Sequence, residues 1–184
     1  MDILSLHAIY KSFPSTGTQA LCGADFTLRH GEVHALVGEN GAGKSTLARI
    51  ACGLLQADSG SITVRGTAVR FRSNRDAERA GIGLVPQESL LADGLTVAQN
   101  LALGREPKRL GFFYNNAQAL DDVRTLAQSY GEAVGGVVRD GFSVDPGALV
   151  SELGPSQRRE AEILRAMARG SSVLILDEPT SILS

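Results

Sequence analysis

The sequence predicts an α/β core with a helical subdomain inserted into it. Two nearly continuous apolar runs, Glu32 to Val37 and Val173 to Leu176, each lead directly into a polar stretch that carries chemistry. Runs of that kind mark strands covered on both faces. Between them, from Glu88 to about Met167, the pattern changes to helix signals separated by glycine-rich gaps. The order strand, glycine turn, helix, strands, helical insertion and strand again belongs to such a core. We assign residues 1–88 and 168–184 to the core and 89–167 to the helical subdomain, all within one domain, 1–184.

Taken in order, Ile3 to Tyr10 alternates and predicts an edge strand, which Phe13-Pro14-Ser15-Thr16-Gly17 breaks as a loop. Further strands are expected over Ala24 to Leu28 and Glu32 to Val37. A helix follows from about Lys44 to Leu55, with Leu47, Ile50, Ala51 and Leu54 on one buried face. Gly60 to Arg65 and Thr67 to Phe71 form a hairpin pair. Ser73-Asn74-Arg75-Asp76 has capping-box spacing and opens a short helix that Gly81 ends. Ile82 to Val85 is another buried strand. Thr96 caps a helix ending near Gly104, and Asn116 caps one running to Tyr130 with Leu120, Val123 and Ala127 inward. Residues 131–150 are poorly patterned and predict a long loop, and Val173 to Leu176 returns to a strand.

At 184 residues, with 43% hydrophobic and 21% charged side chains, the chain has the composition of one globular domain with its own core. Its net charge of −2 advertises no nucleic-acid or anionic-membrane partner. Lys108-Arg109 and Arg158-Arg159 are short basic clusters, expected on a solvated face. Cys22 and Cys52 are too few for a disulfide framework or a zinc site and read as small core residues. No charged segment followed by an apolar stretch marks a signal peptide at Met1 to Ser5, and no apolar run approaches the ~20 residues of a membrane span.

Gly38-Glu39-Asn40-Gly41-Ala42-Gly43-Lys44-Ser45 fits G-x-x-x-x-G-K-[ST], with a strand expected before it and a helix after it. Glycines let backbone N–H groups approach a phosphate with no Cβ in the way, and the helix start points its positive end at the same anion. Lys44 supplies a point charge for the β- and γ-phosphates, and Ser45 a hydroxyl for Mg²⁺. Asp177 and Glu178 end the last strand, where neighbouring side chains point to opposite sides and so take separate tasks. Asp177 is placed to hold Mg²⁺ through water, and Glu178 to orient and deprotonate a water that attacks the γ-phosphate. Alone, such a pair is usually a solvated turn; the phosphate loop in the same chain turns the reading to catalysis.

Together, Gly38 to Thr46, Gln87 and Leu174-Ile175-Leu176-Asp177-Glu178-Pro179-Thr180 resemble the ATP-binding cassette of ABC transporters, a P-loop NTPase core of ABC ATPase type. Gly31 to Val37, Ser73 to Gly83, Leu95 to Asn100 and the ending Ser181-Ile182-Leu183-Ser184 are most similar to the importers of simple sugars and nucleosides. The resemblance implies ATP and Mg²⁺ as ligands, with Gly38, Glu39, Asn40, Gly41, Ala42, Gly43, Lys44, Ser45 and Thr46 around the phosphates. Ser45, Gln87 and Asp177 would serve the metal, and Glu178, Lys44 and Gln87 the chemistry. Gln87 would also link the site to a membrane subunit. Phe13, two residues after Lys11, matches the aromatic that stacks on adenine; a core phenylalanine near a strand end is an equally good reading.

The family's signature, usually Leu-Ser-Gly-Gly-Gln, aligns with Leu153-Gly154-Pro155-Ser156-Gln157, where three of five positions depart. Gly154 can still cap a helix and Pro155 suits its first position, so the helix dipole is kept. The serine hydroxyl is gone, however, and proline removes one N–H donor. A composite site completed by this stretch is therefore expected to be weak. The family's switch histidine lies beyond the acidic pair and hence beyond Ser184. None of His7, His30 and His34 stands in its place, and His34 is expected to be a satisfied core histidine. The C-terminal part of the core is expected to be missing. The resemblance further implies a head-to-tail dimer with a second ATPase domain, transmembrane permease subunits, an indirectly coupled extracytoplasmic solute-binding protein and a peripheral place on the cytoplasmic face. Alternatives are an ABC ATPase without a transporter, acting in DNA repair or translation, and a nucleotide-binding module without useful turnover. A small-molecule kinase is disfavoured, because Gln87 and Asp177-Glu178 would position a water.

Overall fold

The computed structural model describes residues 1–109, 113–133 and 143–177. They fall into two compact units, Met1–Leu84 with Ser171–Asp177, and Val85–Gly170.

In the first unit, β1 (Asp2–Phe13) and β2 (Thr18–Arg29) form a long antiparallel hairpin. The connecting turn closes through Thr16 N–H to the Phe13 carbonyl. After α1 (Lys44–Ala51) come β3 (Ser59–Val64) and β4 (Thr67–Val69), and the sheet order is β2-β1-β3-β4. β1 is therefore an interior strand, not the edge strand expected, because both of its sides take partners. Leu4 and Leu6 face the core, as alternation requires, yet so does Ile9, which is out of phase with them. A register shift between Leu6 and Ile9 resolves this: Ala8 adopts φ 49° and the extra residue returns Ile9 to the buried face. The Asp25 carboxylate accepts the Ala8 N–H at 2.8 Å and so replaces the lost ladder bond. That N–H, followed by His7, holds the Asp25 carboxyl below its usual range.

α1 packs Leu47, Ile50 and Ala51 against Leu4, Leu6 and Leu21. It ends four residues earlier than expected, and Leu54 lies 55% exposed instead of on the inner face. The reason is Gly53, whose φ of 71° bends the chain away from helix where a Cβ would lie 2.6 Å from the Ser73 carbonyl oxygen. Then come α2 (Asn74–Arg79) and β5 (Ile82–Val85), which pairs with β8 (Val173–Leu176). Ser73 precedes α2 without a side-chain cap, and the Asp76 carboxylate accepts the Arg72 N–H at 3.0 Å.

The expectation that fails most clearly is the buried strand over Glu32 to Val37. Val33 is 99% and Val37 91% exposed, and no regular element forms. A strand needs a neighbour for its N–H and C=O groups, and among the described residues none pairs with this segment. His34 is accordingly not a core histidine: its side chain is exposed, with Nδ1 3.1 Å from Glu32 Oε1 and its ring edge-on to Phe26. Cys52 is buried, which pushes its thiol pKa up, but Cys22 is exposed on the outer face of β2 and not in the core.

The second unit holds α3 (Val97–Ala102), the short pair β6 (Lys108–Arg109) and β7 (Phe113–Tyr114), α4 (Asn116–Ala133) and α5 (Pro155–Ala168). Thr96 and Gln99 form a complete capping box on α3. On α4 the cap is Asn115, one residue before the one expected, with Oδ1 accepting the Gln118 N–H. Val97, Leu101, Val123, Val150, Leu153 and Leu164 make the core. Asn100 is fully buried among them, and it is satisfied. It accepts the Ala92 N–H at 2.7 Å and donates to the carbonyls of Ala92, Leu95 and Thr96. Residues 134–142, the middle of the expected loop, lie outside the described residues.

Candidate functional site

Gly38 to Gly43 forms an exposed turn closed by the Ala42 N–H donating to the Glu39 carbonyl at 3.2 Å. Gly41 and Gly43 both take left-handed φ, 85° and 86°. At Gly43 the requirement is also one of space, because a methyl group there would come within 2.6 Å of the Ala20 carbonyl oxygen. The turn is thereby seated against β2, and Gly43 begins α1, with its carbonyl accepting the Leu47 N–H. Lys44 Nζ donates to the carbonyls of Gly38 at 2.7 Å and Glu39 at 2.8 Å. An ammonium has three donors. With two given to its own loop, Lys44 is held over the turn and keeps one for an anion.

Ser45 and Asp177 are 132 residues apart in sequence, yet Ser45 Oγ lies 3.5 Å from Asp177 Oδ1. The pairing of β8 with β5 and the packing of α1 on the same core bring them together. A hydroxyl and a carboxylate are hard oxygen donors, the type that suits Mg²⁺. Thr46 is half-buried in the first turn of α1. Asn40 and Glu39 are exposed in the turn. Glu178, the expected base, lies outside the described residues.

Phe13 is half-buried at the end of β1, where it pairs with Thr18. Thr18 stands two residues along β2 from Ala20, the residue that receives Gly43. At the rise of a strand Thr18 and Ala20 are about 7 Å apart, and Phe13 stands one strand spacing to the side of Thr18.

Gln87 belongs to the second unit and is exposed. With Ser89, Leu153, Pro155, Arg158, Arg159 and Glu162 it lines a cavity of about 170 Å³ at the start of α5. Gly154 caps α5 with φ −69° and ψ 165°, Pro155 is its first residue, and Gln157 Oε1 accepts the Gly154 N–H at 3.2 Å. The helix start expected for the altered stretch is therefore present. Arg158 pairs with Asp93 at 2.8 Å. Arg159 is not on a solvated face: its side chain is 11% exposed and donates to the Pro86 carbonyl and to Glu162 Oε2. Glu162 Oε1 is buried without a hydrogen-bond partner among the described residues. An Arg three residues before a Glu on a predicted helix was the signal for this pair.

The family model described as ABC transporter matches residues 21–181. The chain is 42% identical over 183 residues to the ribose import ATP-binding protein RbsA 1 of Streptomyces avermitilis, covering 100% of this chain and 33% of that protein. It is 44% identical over 182 residues to the arabinose import ATP-binding protein AraG 2 of Burkholderia cenocepacia, covering 99% of this chain and again 33% of the other. The chain thus spans about a third of the length of these curated relatives. Among solved structures, cbiO1 from Clostridium perfringens, part of the ABC transporter complex cbiONQ, matches with a TM-score of 0.73 at 25% identity. That match covers 98% of this chain and 66% of the other. The ADP conformation of another ATP-binding cassette matches with a TM-score of 0.75 at 24% identity, over 98% of this chain and 70% of that one.

Proposed function

Because this chain belongs to the ABC transporter family, we propose that it is an ATP-binding and ATP-hydrolysing part of an importer for a simple sugar. The observation that carries the proposal is the meeting of Ser45 and Asp177 beside the Lys44 loop. The backbone of Gly38 to Thr46 receives the phosphates, and the free donor of Lys44 meets the β- and γ-phosphate charge. Ser45 and Asp177 are the residues that would hold Mg²⁺, which when bound would neutralise charge on the transferring phosphoryl group. Glu178 orients and deprotonates the attacking water. Phe13, across the hairpin from Thr18 and near the seat of the loop at Ala20, stacks on the base.

We read residues 1–88 and 168–184 as nucleotide core and 89–167 as the arm through which Gln87 reports to transmembrane permease subunits at the cytoplasmic face. Among the described residues no helix is long and apolar enough to cross a membrane. A second ATPase domain, head to tail with this one, completes each site, and an extracytoplasmic solute-binding protein delivers the sugar. Ribose and arabinose in the relatives' names support the sugar class.

The altered stretch Leu153 to Gln157 supports a second reading, nucleotide binding with little turnover. Titration with ATP in the presence and absence of Mg²⁺, beside Asp177→Asn, tests the first. The native chain is expected to bind about tenfold more tightly with the metal, and the variant to lose that gain while binding metal-free ATP as before. Equal metal dependence in both removes Asp177 from the site.

A further inference from the structure

A strand end does not by itself fix the ring it carries. On the β3 side the ladder of β1 stops at Tyr10 opposite Ser59, three residues short of Phe13. Asp58, immediately before β3, takes over from the ladder. Its own N–H donates to the Tyr10 carbonyl at 2.9 Å. Its Oδ1 accepts from Lys11 Nζ at 2.7 Å, and its Oδ2 accepts the Ser12 N–H at 2.7 Å. Three consecutive residues before Phe13 are thus gripped by one. Lys11 is drawn in with its side chain 15% exposed, and its ammonium stands 5.8 Å from the centroid of the Phe13 ring. The Lys11 ammonium and then the Ser12 N–H hold the Asp58 carboxyl below its usual range, so the grip is charged at neutral pH.

We propose that Asp58 is the positioning residue for Phe13, and that it sets the affinity of this chain for the base of its nucleotide without touching the phosphates. The inference rests on the reading of Phe13 as the base-stacking residue. A strand staple with no bearing on the ligand would use the same bonds, so the test must read the base separately from the phosphates. Inorganic tripolyphosphate with Mg²⁺ offers the phosphates alone.

The native chain, Phe13→Ala, Asp58→Ala, Asp58→Asn and the double variant Phe13→Ala/Asp58→Ala are titrated with Mg·ATP and with Mg·tripolyphosphate. Stacking of a base on an aromatic ring sets the scale, so Phe13→Ala and Asp58→Ala should each weaken ATP binding by roughly five- to tenfold. Both should leave tripolyphosphate within about twofold, and the double variant should be no weaker than Phe13→Ala, since Asp58 acts through that ring. Asp58→Asn keeps an acceptor for Ser12 and loses the ion pair, so its ATP loss is smaller and equally selective. It decides the matter should Asp58→Ala fail to fold. Equal weakening of both ligands, or additive losses in the double variant, overturns the proposal. If Phe13→Ala weakens ATP and neither Asp58 variant does, the positioning role falls while Phe13 stands. If Phe13→Ala changes nothing, the base-stacking reading itself falls, and the proposal with it.

Discussion

The turn at Gly38 to Ser45 and the start of α5 at Leu153 to Gln157 are both proposed here as backbone devices for meeting an anion, and they depart from their patterns in opposite ways. In the first the residues match the pattern throughout, yet the segment leading into it is exposed and has no strand partner among the described residues. In the second, three of five residues have changed, and the geometry is complete: cap, first-position proline and the Gln157 return bond are all in place. A helix start tolerates changes of identity because several residue types satisfy the same few N–H groups. The phosphate turn tolerates few, because Gly43 has no room for a Cβ and Lys44 provides a charge that no neutral residue replaces.

That contrast can be broken by substitution. Lys44→Ala should have the largest effect: loss of a charged hydrogen bond to phosphate is worth about 1.5–3 kcal/mol, roughly ten- to hundredfold in the calorimetric Kd for Mg·ATP. Unchanged affinity would remove the turn from the reading. Next comes restoration of the usual signature by Gly154→Ser, Pro155→Gly and Ser156→Gly together. In an assembly with the proposed permease subunits and second ATPase domain, this should raise turnover by about tenfold, through a regained hydroxyl and N–H donor. A flat rate would mean that the preserved helix start already suffices. The smallest effect sharpens the comparison from the structural side: Gln157→Ala should destabilise the second unit by about 0.5–1 kcal/mol, read as a lower melting temperature, with nucleotide affinity unchanged.

How far the sequence reaches differs by the range of the interaction. The cap of α3 by Thr96, the opening of α5 at Gly154 and Pro155, and the β3–β4 hairpin depend on neighbours within a few residues and are readable directly. The meeting of Ser45 with Asp177 is readable because a phosphate loop and an acidic strand end are recognisable separately. The grip of Asp58 on Lys11 spans 47 residues and joins two unremarkable polar side chains, so no local pattern announces it. Glu32 to Val37 fails for the reverse reason: its apolar composition suits a covered strand, but coverage is supplied by partners, and composition does not name them. Leu54 fails because helical periodicity was extended past a glycine whose left-handed φ ends the helix.

The kink at Ala8 has a consequence for how this hairpin can vary. Because the extra residue offsets the phase of β1 between Leu6 and Ile9, the two halves of the strand keep separate counts. Deleting Ala8 would restore plain alternation, with Ile9 still inward after Leu6 and Tyr10 still outward, at the cost of the Ala8–Asp25 bond, and a residue added at the Pro14–Gly17 turn would likewise leave both halves in step. The hairpin can lengthen at its tip and shed its extra residue at the bend without turning its buried face to water.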